Sequence, residues 1–159
     1  MNGIGAKTLD VIEIAKCARA AALKMANVGS ETKNHALLAV AEAIDTQKSQ
    51  LEQVNAKDVG NAVKAAVPSP LVKRLRLDSA KINEMTMGLR SLVQLDDPVG
   101  KVMFATEMDH GLELYKVTCP IGVIGAVFES RPDALVQIAA LSLKSGNAVI
   151  LKGGSEAAQ

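Results

Sequence analysis

The chain has 159 residues and a net charge of +1, with 48% hydrophobic, 22% charged and only 2% aromatic residues. These values are ordinary for a globular domain, and the absence of a basic stripe argues against nucleic-acid binding. No apolar run approaches the ~20 residues that cross a membrane, and the N-terminus lacks the apolar core of a signal peptide. We therefore expect a cytoplasmic protein with no membrane or nucleic-acid partner.

The first hundred residues show the apolar spacing of amphipathic helices. The first predicted helix carries a stripe of Val11, Ile14, Ala15, Ala18, Ala22 and Met25. A second predicted helix carries Leu37, Ala41, Ile44 and, later, Leu51 on one face.

Two prolines then interrupt the helical pattern. Pro68 and Pro70 cannot continue a helix, and each favours extended geometry in the residue before it. A further helix is predicted to begin after Asp78, a good N-cap, and to end at Asp97-Pro98. Its inward residues are predicted to be Ile82, Met85, Leu89, Leu92 and Val93.

A β-hairpin is predicted next. Residues 102–108 and 112–118 have strand composition, and Asp109-His110-Gly111 joins them. Gly111 suits the left-handed position of a three-residue hairpin loop. Pro120 separates this hairpin from the segment that follows.

The last segment has the pattern of a βαβ unit. Residues 121–128 are nearly all apolar, as in a strand covered on both faces. Residues 133–145 predict a helix, and residues 148–151 predict a second strand that ends at Lys152. The fold class is therefore α/β, with helices and a hairpin before the start of a Rossmann-like parallel sheet.

This sheet is incomplete within the 159 residues. The chain ends at Gln159, where Ser155-Glu156 would open another helix. Since parallel sheets are stable when several strands lie between helix layers, two strands fall short. We expect either a truncated nucleotide-binding domain or a sheet completed by another chain.

The candidate site residues follow the two predicted parallel strands. They are Ser130, Arg131, Lys152, Gly153, Gly154 and Ser155. Ligands of open α/β sheets bind outside the carboxyl ends of the strands. Cationic side chains would bind phosphate or carboxylate groups, glycines would admit a ligand to the backbone, and a helix opening near Ser155 would add its positive end. A nucleotide-type ligand is the functional interpretation, although there is no GxGxxG or Walker-type sequence.

Three of these residues also have a purely structural interpretation. Lys152 would then be a surface lysine, Arg131 would clamp a helix end or a loop carbonyl, and Ser130 would cap the following helix. No metal site is expected, because His35 and His110 lack partners at ligand spacing.

The two cysteines do not suggest a reactive site. Cys17 and Cys119 form no disulfide framework and have no metal-ligand spacing. Cys119 lies before the first parallel strand, at the end opposite to the ligand edge. Both are interpreted as structural or incidental.

The stretch from residue 120 to 157, PIGVIGAVFESRPDALVQIAALSLKSGNAVILKGGSEA, resembles the signature of glutamate-5-semialdehyde dehydrogenases, also called γ-glutamyl phosphate reductases. This family belongs to the aldehyde dehydrogenase superfamily. The similarity extends upstream to LDDPVGKV (residues 95–102), KRLRLD (residues 73–78) and AKCAR (residues 15–19) in the first helix. It thus covers nearly the whole chain.

The resemblance implies roles for the residues at the strand ends. Lys152 matches the lysine that contacts the adenosine ribose of NAD(P), and the turn of Gly153, Gly154 and Ser155 would help seat the 2′-phosphate of NADPH. Ser130 falls near the position of an oxyanion-stabilising Asn in many aldehyde dehydrogenases. Arg131 is a candidate for the substrate phosphate or carboxylate, on charge grounds.

The resemblance also implies a domain organisation. Residues 1–100 would be the N-terminal helical part of the cofactor-binding domain. Residues 101–119 would be an oligomerisation-type hairpin, which implies a homo-oligomer formed through residues 102–118. Residues 120–159 would be the first βαβ unit of the NADP-binding domain.

The implied reaction is the NADPH-dependent reduction of γ-glutamyl phosphate to glutamate-5-semialdehyde in proline biosynthesis. Its cysteine nucleophile is expected beyond residue 159, because neither Cys17 nor Cys119 matches it. The 159 residues alone are therefore expected to be inactive. The alternative is a non-catalytic oligomerisation or nucleotide-binding module derived from this family.

Overall fold

The computed structural model describes residues 10–129 and 131–154, which form six α-helices and two two-stranded sheets. In chain order the elements are α1 (Val11–Met25), α2 (Ser30–Thr46), α3 (Lys48–Lys64), α4 (Ser69–Leu75), α5 (Ser79–Gln94), β1 (Val102–Asp109), β2 (Leu112–Val117), β3 (Val123–Val127), α6 (Pro132–Lys144) and β4 (Ala148–Lys152). Within these residues no helix is both long and apolar enough to cross a membrane. The predicted α/β class is confirmed.

The core lies between α2, α5 and α6. Leu37 and Ala41 of α2 pack with Leu89 of α5 and Ala140 of α6, and all four are buried. Asp78 caps α5 as predicted, because its carboxylate accepts a hydrogen bond from a backbone N–H in the first turn. The helix ends at Gln94, three residues before the predicted stop.

The second predicted helix is wrong as a single element. It consists of α2 and α3, which are separated at Gln47 (φ −97°, ψ 11°). The residues around the break are polar, and the Thr46 hydroxyl donates to the Glu42 carbonyl at 2.8 Å, a bond that often bends helices. Leu51 therefore packs on a second buried cluster, around Ile82, instead of lying in line with Leu37.

Helix α4 follows the predicted proline break, with Pro70 in its first turn. A buried side chain of α3 fixes the exit from α4. The Asn55 amide donates to the Leu75 carbonyl at 2.9 Å and accepts from the Leu77 N–H at 2.7 Å. This bidentate contact holds the turn that leads into α5.

The predicted hairpin is present as β1 and β2, which pair antiparallel. Gly111 has φ +75°, as a left-handed turn position requires, although Asp109 pairs with Leu112 and leaves a two-residue loop. Apolar side chains on both strands are exposed: Val102, Met103, Phe104, Met108, Leu112, Leu114, Tyr115 and Val117. The hairpin is thus an apolar surface that the described residues do not cover.

Strands β3 and β4 pair parallel and are joined by α6, as predicted. Helices α1 and α6 both contact β4. The expectation that β3 is covered on both faces is wrong, since Val127 is 82% exposed. The parallel sheet has only two strands among the described residues, so much of the apolar surface of β3 has no neighbour. The strand begins at Val123, just after Gly122, whose φ of +116° is outside strand geometry.

Candidate functional site

The carboxyl ends of β3 and β4 lie side by side. The parallel register runs from Val123 opposite Ala148 to Val127 opposite Lys152. The Phe128 N–H then donates to the Lys152 carbonyl at 3.1 Å, which extends the ladder by one bond. The residues that follow the two strands therefore meet at one edge of the sheet, as the sequence predicts.

Lys152 is exposed at the end of β4. Its carbonyl is bound in the ladder, and its ammonium forms no ion pair with the part of the chain that the structure describes. A charge held on a strand and left without a carboxylate is suited to binding an anion. Lys152 is thus the available cation of this edge.

Arg131 is in a different electrostatic state. Its guanidinium donates to the Asp133 carboxylate at 2.7 Å, and this hydrogen bond, with the charge of Asp133, raises the pKa of Arg131. Asp133 lies in the first turn of α6, where a carboxylate also favours the helix dipole. An anion that binds Arg131 must therefore compete with Asp133.

Glu129 connects this edge to the helical region. Its carboxylate accepts a hydrogen bond from the Arg74 guanidinium of α4 at 2.5 Å. Both side chains are more than half exposed, so the pair contributes at most about 1 kcal/mol. The sequence indicated the KRLRLD segment only as part of a resemblance, and nothing in it pointed to a partner 55 residues away.

Gly153 and Gly154 follow Lys152 and are half-buried. A cavity of about 210 Å³ lies beside them, lined by Phe128, Arg131, Pro132, Leu135, Leu151 and both glycines. An apolar floor with a guanidinium and glycine backbone at its rim fits part of a nucleotide. Phe128 was not predicted as a site residue, although its place at the end of the apolar run, next to the strand end, could have indicated it.

Two of the predicted site residues, Ser130 and Ser155, lie outside the described residues. Arg131, Lys152, Gly153 and Gly154 are described, and all four lie at the same edge.

No cysteine or histidine that the structure describes lines the cavity at this edge. Cys17 is exposed on α1, and Cys119 is exposed before β3, at the opposite end of that strand. His35 and His110 are exposed on α2 and in the hairpin loop. Among residues 10–129 and 131–154 no group of three or more His, Cys, Asp or Glu residues is placed to hold a metal ion.

Curated relatives match almost the whole chain, whereas no family model matches it. The γ-glutamyl phosphate reductase of Pelotomaculum thermopropionicum is 52% identical over 149 residues, which are 94% of this chain and 34% of that protein. The same enzyme of Ruminiclostridium cellulolyticum is 50% identical over 149 residues, with the same shares covered. The chain thus spans about a third of the length of these relatives.

Solved structures agree with the sequence relatives. The γ-glutamyl phosphate reductase of Saccharomyces cerevisiae is 41% identical with a TM-score of 0.88, over 91% of this chain and 37% of that one. The Thermotoga maritima enzyme is 37% identical with a TM-score of 0.88, over 92% and 36%. A salicylaldehyde dehydrogenase from Pseudomonas putida G7 shares the fold alone, at 18% identity, a TM-score of 0.71, and 93% and 28% coverage. The chain is therefore a relative of the γ-glutamyl phosphate reductases over nearly its whole length, with the fold of about a third of such an enzyme and of the aldehyde dehydrogenases.

Proposed function

We propose that this chain is the N-terminal, NADPH-binding portion of an enzyme that reduces γ-glutamyl phosphate to glutamate-5-semialdehyde. The observation that supports this most directly is the 52% identity to a γ-glutamyl phosphate reductase over 94% of the chain. A neighbouring fold, PnpE, was crystallised with nicotinamide adenine dinucleotide. The proposed site is the edge formed by Lys152, Gly153 and Gly154, with Ser155 following them in the sequence.

Each residue of the edge has a proposed role. Lys152 donates to the adenosine ribose or to a phosphate of the cofactor, because its ammonium faces no carboxylate among the described residues. Gly153 and Gly154, with Ser155 next in the sequence, are proposed to bind the 2′-phosphate of NADPH. Ser130 and Arg131 are proposed for the substrate side, Ser130 near the oxyanion and Arg131 near the phosphate or carboxylate.

The proposed chemistry is the reduction of an acyl phosphate. A cysteine thiolate would attack the acyl carbon and displace phosphate, and NADPH would supply the hydride that reduces the resulting thioester to the aldehyde with release of the thiolate. The nucleophile is proposed to belong to a part of the enzyme beyond these 159 residues. Cys119 lies before β3, at the end of the sheet opposite to the ligand edge, and Cys17 lies on α1.

Two parts of the chain are proposed to belong to one domain, with a hairpin between them. Residues 1–100 and 120–159 are the helical part and the first βαβ unit of one cofactor-binding domain, located in the cytoplasm. Residues 101–119 form a hairpin through which copies of the protein associate, and its exposed Phe104 and Leu114 support this role.

Nucleotide binding is tested by thermal unfolding. A ligand that binds only the folded chain raises its melting temperature by mass action, so NADPH at millimolar concentration should do so. Lys152→Met should weaken NADPH binding about tenfold, whereas Lys57→Met, at an exposed lysine on α3, should leave it unchanged. If neither NADPH nor NADH raises the melting temperature of the chain, the cofactor function is refuted.

A second candidate is a module that oligomerises or binds a nucleotide without catalysis. The exposed apolar hairpin favours it, because association requires no cysteine nucleophile. An assay of the 159-residue chain for γ-glutamyl phosphate reduction does not separate the two candidates. Nucleotide binding without turnover is expected under both, so the full enzyme must be assayed as well, with the same Lys152→Met change.

A further inference from the structure

A side chain at position 153 would crowd Phe128, which follows the neighbouring strand β3. Backbone conformation does not require a glycine at this position, since Gly153 is not among the glycines with positive φ. Space disfavours a side chain there, because a Cβ on Gly153 would lie 3.3 Å from Cζ and 3.5 Å from Cε2 of Phe128. The first distance is shorter than the optimal carbon–carbon separation of about 3.5–4.0 Å.

The two residues are also joined through the backbone. The Phe128 N–H donates to the carbonyl of Lys152, the residue directly before Gly153. The half-buried ring of Phe128 and the turn of Gly153 and Gly154 then line the same cavity of about 210 Å³. A shift of the ring therefore changes both the support of the turn and the space beside it.

We propose that Phe128 is a positioning residue for the cofactor. Its ring supports the Gly153–Gly154 turn and determines how closely a dinucleotide can approach the backbone of that turn. This inference rests on the proposed function. It adds a residue that makes its contribution through Gly153, and it explains why a side chain at that position is disfavoured.

The physical consequence is a coupling between positions 128 and 153. In the native chain, Gly153→Ala forces the new Cβ against the ring tip, so either the ring moves into the cavity or the turn is lifted. Leucine at position 128 lacks the atoms at Cζ and Cε2. In that background the same Gly153→Ala change meets open space.

The test is a double-mutant cycle of Phe128→Leu and Gly153→Ala in the 159-residue chain, with the dissociation constant for NADPH and the melting temperature without nucleotide as separate readouts. Gly153→Ala should weaken NADPH binding about tenfold in the native background and less than about twofold in the leucine background. Gly125→Ala, in β3 with no atom within 4 Å of its Cβ position, is the matched control and should change binding less than about twofold.

Two results overturn the proposal. An equal loss of affinity from Gly153→Ala in both backgrounds shows that the ring does not act on the turn. A lowered melting temperature with an unchanged dissociation constant shows a structural role only. If the native chain itself binds no NADPH, the proposed cofactor function fails, which is a distinct outcome. Phe128→Met replaces Phe128→Leu if the leucine variant does not fold.

Discussion

The buried ammonium of Lys33 offers the sharpest stability prediction. Its side chain is 2% exposed and lies 2.5 Å from a carboxylate oxygen of Asp97, which is 20% exposed. The buried Lys144 donates to the Asn34 side chain at 2.8 Å and to the Val93 carbonyl at 3.4 Å, and its charge also acts on Asp97. Asp97 therefore pairs directly with Lys33 on α2, and its interaction with Lys144 on α6 is through charge alone.

Asp97→Asn removes this ion pair and should be strongly destabilising. We expect a loss of about 3 kcal/mol, the lower end of the cost for a buried charge left without its partner, because Asp97 keeps some contact with water. Lys33→Met should cost only about 1 kcal/mol, since the carboxylate left behind can be hydrated. The double variant should be more stable than Asp97→Asn alone, because it no longer buries the Lys33 charge.

The assay is urea unfolding at neutral pH with circular dichroism, supported by thermal unfolding. For a chain of this size about 3 kcal/mol corresponds to a melting temperature lower by roughly 6–12 °C. An Asp97→Asn variant within about 0.5 kcal/mol of the native chain, the range of ordinary surface substitutions, would refute the reasoning. So would a double variant less stable than the single one.

The pH dependence of the same pair has a definite sign. Burial raises the pKa of Asp97, but the hydrogen bonds from Lys33 and the Val99 N–H and the charges of Lys33 and Lys144 outweigh it, so the pKa falls below its usual 3.8. The contribution of the pair is therefore complete above that value and is lost as the pH falls through the lowered pKa. The stability difference between the native chain and Asp97→Asn should narrow below about pH 4. A difference that stays constant down to about pH 2 would contradict this account.

Three further predictions concern other parts of the fold. Asn55→Ala leaves two buried backbone groups without partners and should cost about 2 kcal/mol in urea unfolding, and a loss below about 0.5 kcal/mol would contradict this. Gly146→Ala should cost more than about 1 kcal/mol, because φ is +72° and the Cβ would lie 3.0 Å from a proline side chain, whereas Gly88→Ala, in open space on α5, should be neutral or stabilising. Phe104→Glu with Leu114→Glu, on one face of the hairpin, should shift the chain toward monomer in sedimentation velocity with an unchanged circular dichroism spectrum, and an unchanged sedimentation coefficient of an associated species would refute the hairpin's role.

The elements with local signals were predictable from the sequence. Gly111 indicated the hairpin turn because a left-handed position favours glycine, and the structure places it at φ +75°. Asp78 indicated the start of α5, and the alternation of strand and helix patterns indicated the parallel pair of β3 and β4. Each of these features is set by a contact within a few residues or by the spacing of apolar residues along a segment.

The features set by distant contacts were not predictable in this way. Lysine is usually a surface residue, yet Lys33 and Lys144 are both buried. The fold brings them together with Asp97 from three different parts of the chain. No proline or glycine marks the break at Gln47, and beyond it α3 packs on α4 and α5. The exposure of Val127 depends on how many strands flank β3, which no local pattern encodes.

At the candidate site the sequence predicted which residues come together, but not which of them form ion pairs. The sequence indicated that Arg131 and Lys152 would reach one sheet edge, and the register of β3 and β4 brings them there. It did not indicate that Asp133 would pair with Arg131, or that Lys152 would lack an ion-pair partner among the described residues. The two cations are therefore unequal: an anion gains the full charge of Lys152 but must first displace a carboxylate from Arg131. A cofactor phosphate is expected to depend on Lys152, and Arg131 becomes available only to a ligand that replaces Asp133.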